Sequence, residues 1–318
     1  MVQLMQSPVQ VRQDKKHPQW AFFKGKVVPI GDANISIMTQ VVNYGIGAFG
    51  GLRGYWNAEK QQLYVFRIQD HIRRLLNSLK LFGNTIPYSP EDLQRIMINL
   101  LRREGYREDV YIRPLIYNAT EDITPRLYDV EFDFACFARP QGNYISLQVR
   151  ACTSSWRRIE DNVLPSRGKI TGGYVNSAFA KSEAHWNGYD EAIVLNHDGH
   201  VAEGSAMNLF MVRHGRLITP PVSDNILEGI TRNSILQMAH DLGIETIERS
   251  IDRTELYIAD EVLFCGTGAQ VAAVAEIDHR KIGAGTMGPI GQKLQDTYFS
   301  IVRGKNAQYA DWLTPVYP

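Results

Sequence analysis

Apolar residues along this chain switch between two spacings. Compact runs at residues 19–23, 63–66, 111–117 and 132–138 predict strands, the first entering a turn at Lys24-Gly25. Ile72, Leu75, Leu76, Leu79 and Phe82 instead recur at helical spacing, predicting a helix with Asp70 as its cap and Gly83 as its stop. A second helix opens at Ser89-Pro90-Glu91-Asp92 and buries Leu93, Ile96, Met97, Leu100 and Leu101. Residues 118–128 are polar and unpatterned, and read as a loop.

The second half resumes with a strand at 145–152 and a helix at 175–186 ending near Gly188. Strands at 191–196 and 201–202 flank the turn His197-Asp198-Gly199, and strands at 209–212 and 216–219 flank His214-Gly215. Thr231 is the expected cap of a helix burying Ile235, Leu236, Ala239 and Leu242, and Pro289 opens a last helix to residue 302. Hairpins outnumber βαβ units, so the pattern predicts an α+β, or mixed α/β, fold rather than a doubly wound sheet. The polar, Pro- and Gly-containing stretch from Arg139 to Asn143 reads as an interdomain break. With 318 residues at about 150 per domain, the expected division is 1–138, a loop at 139–144, and 145–318.

Charge and composition narrow the chemistry. Lys+Arg and Asp+Glu both number 34, so no basic excess draws the chain to nucleic acid or an anionic membrane. The pairs Lys15-Lys16, Arg102-Arg103 and Arg157-Arg158 read as solvated faces. Three scattered cysteines form neither a disulfide framework nor a thiolate metal site, and fit a reducing compartment. The opening MVQLMQSPVQVRQDKKHPQW has no apolar core of a signal peptide. The most apolar window, 262–277, is broken by Gly266, Gly268, Gln270 and Glu276, so no membrane span is expected.

Two apparent motifs lack their context. Gly283-Ala284-Gly285-Thr286-Met287-Gly288 matches G-x-G-x-x-G but runs into Pro289 with too little chain left for a dinucleotide fold, and reads as a surface turn. His197 and His200 straddle a predicted turn without a supporting cluster, so no metal site is expected. More coherent is a set of anion-binding features. Gly229-Ile230-Thr231-Arg232 leads into a helix, whose first amides can hold a phosphate, although Thr231 can equally be an ordinary cap. The turn Cys265-Gly266-Thr267-Gly268-Ala269 offers further amides and a hydroxyl. Arg74 is either a third anion partner or a snorkelling surface charge. In Arg167-Gly168-Lys169-Ile170-Thr171-Gly172-Gly173-Tyr174, the glycines would admit a planar group and the lysine could form a Schiff base. The residue types alone do not select Lys169 over other lysines.

Together these segments resemble the class IV (fold type IV) pyridoxal-phosphate enzymes, and within them the branched-chain amino acid aminotransferases. The resemblance runs from Tyr44-Gly45-x3-Phe49-x-Gly51-Leu52-Arg53 to about Gly291. It passes through Phe66-Arg67, His71-x2-Arg74-Leu75, Tyr111-Ile112-Arg113-Pro114-Leu115, Lys169 with Gly172, Gly173 and Tyr174, and Glu203-Gly204-x3-Asn208-Leu209-Phe210. Thr219-Pro220-Pro221, Leu227-x-Gly229-Ile230-Thr231-Arg232, Ala259-Asp260-Glu261-Val262 and Gly266-Thr267 complete it.

The resemblance implies a two-domain fold with a small N-terminal α/β domain and a larger cofactor domain with a β-rich core flanked by helices. It implies pyridoxal 5′-phosphate as cofactor, and transamination between a branched-chain L-amino acid and 2-oxoglutarate. Lys169 would be the Schiff-base lysine and proton carrier, which requires its amine to be neutral for part of the cycle. Glu203 would pair with the pyridine nitrogen and Tyr174 with the phenolic oxygen. Arg74, the amides of Ile230 and Thr231 and the Thr267 hydroxyl would hold the phosphate, Leu227 would pack on the ring, and Gly229 and Gly266 would also contact the cofactor. The substrate pocket would map onto Tyr44, Phe49, Arg53, Tyr111, Arg113, Tyr144, Thr267 and Gly268, with Arg113 reaching the distal carboxylate of glutamate. A homodimer or a multiple of it, in the cytoplasm, is also implied.

The chain departs from the family at four places. Phe49-Gly50-Gly51 stands for a common Phe-Glu-Gly, Gln141 for an aromatic, residues 118–125 for a Gly-Met-Gly-like stretch, and Gly268 for a common Ala. Each lies on the substrate side. Alternatives are therefore a D-amino acid or (R)-amine transaminase on the same fold, an aminodeoxychorismate lyase-like enzyme, and a non-catalytic phosphate-ligand-binding protein. Lys169 and Glu203 argue against the last, because phosphate binding alone needs neither.

Overall fold

The computed structural model describes residues 17–142 and 148–318. Its first half builds one antiparallel sheet. Strands β1 (Trp20–Phe23) and β2 (Lys26–Pro29) form a hairpin, and the short helix α1 (Gln40–Tyr44) leads into β3 (Gly47–Phe49), β4 (Leu52–Asn57) and β5 (Gln62–Phe66). Strands β6 (Val110–Asn118) and β7 (Phe132–Pro140) follow two helices, α2 (Ile68–Leu81) and α3 (Pro90–Glu104). β3 and β4 lie end to end along β6, Phe49 opposite Leu115 and Leu52 opposite Ile112, with Gly50-Gly51 between them. Leu75, Leu79, Leu93, Met97 and Leu101 pack with Leu52, Ile112 and Phe134 into one core. The helical spacing of the apolar residues thus becomes the face that covers the sheet.

Cap chemistry departs from expectation at α2. Asp70 lies inside the first turn, and Arg67, in a left-handed conformation, is the N-cap. The Asp70 carboxylate accepts from Arg67 Nε at 2.7 Å instead of capping the helix amides. Ser89 caps α3 as expected, in a reciprocal box with Asp92.

The second half builds a mixed sheet. β8 (Gln148–Arg157), the helix α4 (Tyr174–Trp186), β9 (Glu191–Leu195), β10 (Val201–Gly204), β11 (Asn208–Arg213) and β12 (Arg216–Thr219) come first. The helix α5 (Ile230–Asp241), β13 (Thr246–Glu248), β14 (Glu261–Gly266), β15 (Gln270–Ile277), β16 (Arg280–Lys281) and the helix α6 (Pro289–Val302) follow. The strand order is β10-β9-β8-β15-β14-β11-β12-β13, with β8 parallel to both β9 and β15. The interrupted apolar window resolves into the β14–β15 hairpin: Gly266 and Gln270 pair at the strand ends, Gly268 lies in the turn between them, and Glu276 sits inside β15. His214 and Gly215 both take positive φ, as the tight turn between β11 and β12 requires.

Thr231 is not the cap of α5. Gly229 holds that position, and no side chain caps it. A last strand, β17 (Leu313–Pro315), absent from the sequence reading, returns to the first sheet and pairs antiparallel with β5. Tyr55 and Phe66 of the first sheet share a core with Phe210, Leu263 and Tyr298 of the second half. Among the described residues no helix is long and apolar enough to cross a membrane.

Candidate active site

Lys169 lies where the two halves meet. Its flanking chain runs antiparallel beside β3. The Phe49 amide donates to the Lys169 carbonyl at 3.0 Å, and the Thr171 amide donates to Gly47 at 2.8 Å. The Lys169 amide donates to Ser78 Oγ on α2 at 3.1 Å. Backbone and side-chain partners from the first half therefore register a residue of the second. The Lys169 amine donates to the hydroxyl of Tyr174, the first residue of α4, and sits 5.1 Å from the centre of the Phe49 ring.

Burial depresses the Lys169 amine well below the ordinary lysine range, and the Arg74 charge adds to this. Glu203 opposes the shift, while Arg113 and Arg158 reinforce it. Glu203, on β10, is buried, and burial raises its carboxyl against the pull of Arg158, the Leu227 amide, Lys169 and Arg232. Glu203 Oε1 pairs with Arg158 Nη2 at 3.0 Å. Its Oε2 accepts from Asn208 Nδ2 at 2.8 Å and from the Leu227 amide at 3.2 Å. Burial also pushes the Tyr174 phenol up, so it stays a proton donor at neutral pH.

The anion-binding features converge on this centre. With no side-chain acceptor at Gly229, the first amides of α5 stay open toward the cleft. Arg74 approaches from α2, its Nη1 donating to the Glu228 carbonyl at 3.1 Å. Gly266, the last residue of β14, and Thr267 and Gly268 of the turn that follows it also line the cleft. The cleft holds about 580 Å³ of empty space, mouth included. It is lined by all ten residues expected at the cofactor: Arg74, Lys169, Tyr174, Glu203, Leu227, Gly229, Ile230, Thr231, Gly266 and Thr267.

The expected substrate residues divide. Tyr111, Thr267 and Gly268 line the cleft, and a Cβ on Gly51 would stand 1.9 Å from the Tyr111 hydroxyl, so a side chain there would have to displace that hydroxyl. Phe49 packs edge-on to Tyr174 at 4.6 Å, and the Arg113 guanidinium lies 4.6 Å from the Phe49 ring centre, donating to the Tyr111 hydroxyl at 3.2 Å. Arg53 and Tyr44 are not brought to the cleft wall. Arg53 is fully buried and donates to the carbonyls of Gln141 and Gly142 at 2.6 and 2.8 Å. Tyr44 is half-exposed, and its hydroxyl donates to the Ile123 carbonyl. Tyr144 lies outside the described residues.

Sequence reasoning missed Arg158 and Asn208. The Arg157-Arg158 pair is not a solvated face: Arg157 is exposed, but Arg158 turns inward to Glu203. Nothing local distinguishes the two arginines, because the pairing is tertiary. Asn208 had a signal, its place five residues after Glu203 in the run Glu203-Gly204-x3-Asn208-Leu209-Phe210. Near Gly283–Gly288 the α6 amides of Ile290 and Gly291 donate to the Glu261 carboxylate at 3.0 and 2.8 Å. That helix start therefore holds a carboxylate from its own chain. His197 contacts Glu160 and Asp198, and His200 contacts Asp252, so the two imidazoles do not share a centre.

The donor set suits a planar ring with an aldehyde and a phosphate. A neutralisable amine can capture the aldehyde, a buried carboxylate can meet a ring nitrogen, and an uncapped helix start with an arginine can take the phosphate. Residues 48–277 match the family described as amino-transferase class IV. A probable branched-chain-amino-acid aminotransferase from Aquifex aeolicus (strain VF5) is 49% identical, over 94% of this chain and 97% of its own length. The crystal structure of a branched-chain aminotransferase from Thermoproteus uzoniensis with norvaline superposes with a TM-score of 0.91 at 44% identity, covering 95% of this chain and 100% of that one. That of the branched-chain amino acid aminotransferase from Thermobaculum terrenum, in its PLP-form, gives 0.90 at 38% identity, again covering 95% of this chain and 100% of that one.

Proposed function

The chain belongs to the class IV aminotransferases, and from that premise we propose that it transfers the amino group of a branched-chain L-amino acid (leucine, isoleucine or valine) to 2-oxoglutarate, with pyridoxal 5′-phosphate as cofactor. The products are the 2-oxo acid and L-glutamate. The observation that carries this reading is the depressed amine of Lys169, set in one cleft with buried Glu203 and the uncapped start of α5.

Pyridoxal phosphate, when bound, supplies an aldehyde for the amino group and a ring that accepts the electrons released at the α-carbon. The residues of the chain would do the rest. Lys169 Nζ, neutral once its proton is lost, would take the proton from the substrate α-carbon and return it to the cofactor C4′, on the far side of the amino nitrogen. Glu203 would hold the ring nitrogen protonated, and the Tyr174 hydroxyl would donate to the phenolic oxygen. Arg74, the amides of Ile230 and Thr231, and the Thr267 hydroxyl would fix the phosphate. Tyr111 and the turn at Thr267-Gly268 would take the substrate α-carboxylate, and Phe49 would offer the apolar wall. Arg113 would meet the distal carboxylate of 2-oxoglutarate. Tyr44, Arg53 and Tyr144 complete the proposed substrate set, with Arg53 acting through the loop it anchors.

We further place residues 1–138 and 145–318 in two domains joined at 139–144, and expect a cytoplasmic homodimer or a multiple of it. The exposed apolar side chains Ile37, Met38, Val42 and Ile123, all on the first half, support association. The test of function is the absorption spectrum of the pyridoxal-phosphate-loaded protein during addition of L-leucine without any keto acid. Conversion of the cofactor band to that of pyridoxamine phosphate supports the reading. A band unmoved by L-leucine but converted by a D-amino acid or an (R)-amine overturns the substrate assignment.

A further inference from the structure

Arg158 occupies a place that no expected role covers. It follows β8 directly, where its amide donates to the Leu195 carbonyl at the end of β9 at 2.8 Å. Its side chain then crosses to the cleft, which it helps to line. Nε donates to the Asn225 carbonyl at 2.9 Å, and Nη2 pairs with Glu203 Oε1 at 3.0 Å. Asn225 stands in a left-handed conformation just before Leu227, whose own amide donates to the other oxygen of Glu203. One guanidinium thus joins the carboxylate to the segment that carries Leu227. Asn208 closes the loop from the other side, donating to both Glu203 and the Leu227 carbonyl.

We infer that Arg158 is a positioning residue: it fixes the carboxylate of Glu203 and the Leu227 segment in one rigid unit, so that carboxylate and ring-packing side chain present themselves together to the cofactor. A planar fork suits this task, because two of its donors point in set directions. The inference rests on the proposed role of Glu203. Around Glu203 the facing groups are the cations Arg158, Lys169, Arg232 and Arg74, the titratable Tyr174 and Cys265, and the neutral donors Asn208 and Leu227. Of the cations, Arg158 exerts the largest pull on this carboxyl. Removing it leaves a buried acid with less reason to ionise.

The experiment compares holoenzyme of wild type, Arg158→Gln and Arg158→Lys. It reads cofactor retention on dialysis, the pH dependence of the single-turnover rate with L-leucine, and the thermal midpoint. We expect Arg158→Gln to release cofactor about tenfold faster or more, the loss of one charged hydrogen bond. Its acid limb should move to higher pH, since Glu203 then holds its proton further up the scale. Arg158→Lys restores the charge without the fork, so it should recover the limb but not the retention. A lower midpoint with wild-type retention and an unmoved limb would overturn the inference, leaving Arg158 a merely structural residue. If Arg158→Gln fails to fold, Arg158→Lys decides: wild-type retention in that variant overturns it equally. Wild type that binds no pyridoxal phosphate would overturn the cofactor reading itself, a different and separable result.

Discussion

Gly229 and Asn208 leave no room for a Cβ between them: one built on Gly229 would lie 1.8 Å from Asn208 Oδ1. Asn208 is held there by its bonds to Glu203 and the Leu227 carbonyl, so it cannot retreat freely. Gly229→Ala should therefore displace both the start of α5 and the Glu203 carboxylate. The strain of such overpacking is about 1–3 kcal/mol. The expected result is weaker cofactor binding, measured by titrating apoprotein with pyridoxal phosphate, with a smaller change in thermal midpoint. Wild-type affinity would show that the two ends of the cofactor site are independent.

Lys169→Ala should abolish turnover, by a factor of about 10⁴ or more, while the fold survives. Circular dichroism and the steady-state rate with L-leucine check both halves. In wild type, the amine must shed a proton to act as base. Because burial and Arg74 lower its pKa, activity dependent on free Lys169 should rise with pH and level off well below the ordinary lysine value near 10.4. A rate still climbing through that value would place the base elsewhere.

Glu203→Gln keeps the shape and removes the charge. The ring nitrogen then loses its proton partner, and the half-reaction with L-leucine should slow by about 10²-fold. Cofactor capture by Lys169 should persist, since it does not need the ring protonated. Stopped-flow absorption separates the two, and an unchanged half-reaction rate would assign the ring partner to another group.

His71 supplies a pH effect on stability. It is buried beside Arg74, Lys169 and Arg67, and burial above all holds its imidazole well below the ordinary histidine range. The unfolded chain takes a proton near pH 6.5, whereas the folded chain refuses it until much lower pH. Stability tied to His71 is thus full above about pH 6.5 and declines as pH falls below it. The apoprotein should lose more thermal midpoint between pH 7.5 and 5.5 than His71→Asn does; parallel curves would remove His71 from the account.

Local patterns in the sequence carried the helices well, because their apolar faces are written at fixed spacing. The α3 cap and the α6 start at Pro289 are local chemistry and lay where expected. Caps that depend on tertiary partners did not: Asp70 turns to Arg67, and Thr231 sits one residue inside the helix that it was expected to cap. The same division holds in the cleft. Lys169, Glu203 and the glycine-led start of α5 are recognisable from type and spacing. Arg158 has a neighbour of identical chemistry, and only the crossing from β8 to Asn225 and Glu203 tells them apart. Short strands such as β3, β16 and β17 carry too few residues for alternation to be seen, and their partners lie far away in the chain for β3 and β17.

Leu313, Thr314 and Pro315 cover β5, a strand made almost a whole chain earlier. While a ribosome is still producing the second half, the first sheet must wait with its β5 edge bare, its amides and carbonyls free to meet another nascent chain. Completion of the N-terminal half is thus deferred to residues that emerge long after it. A truncation before residue 313 would make that transient exposure permanent, and such a protein should aggregate during expression even though every cleft residue is present.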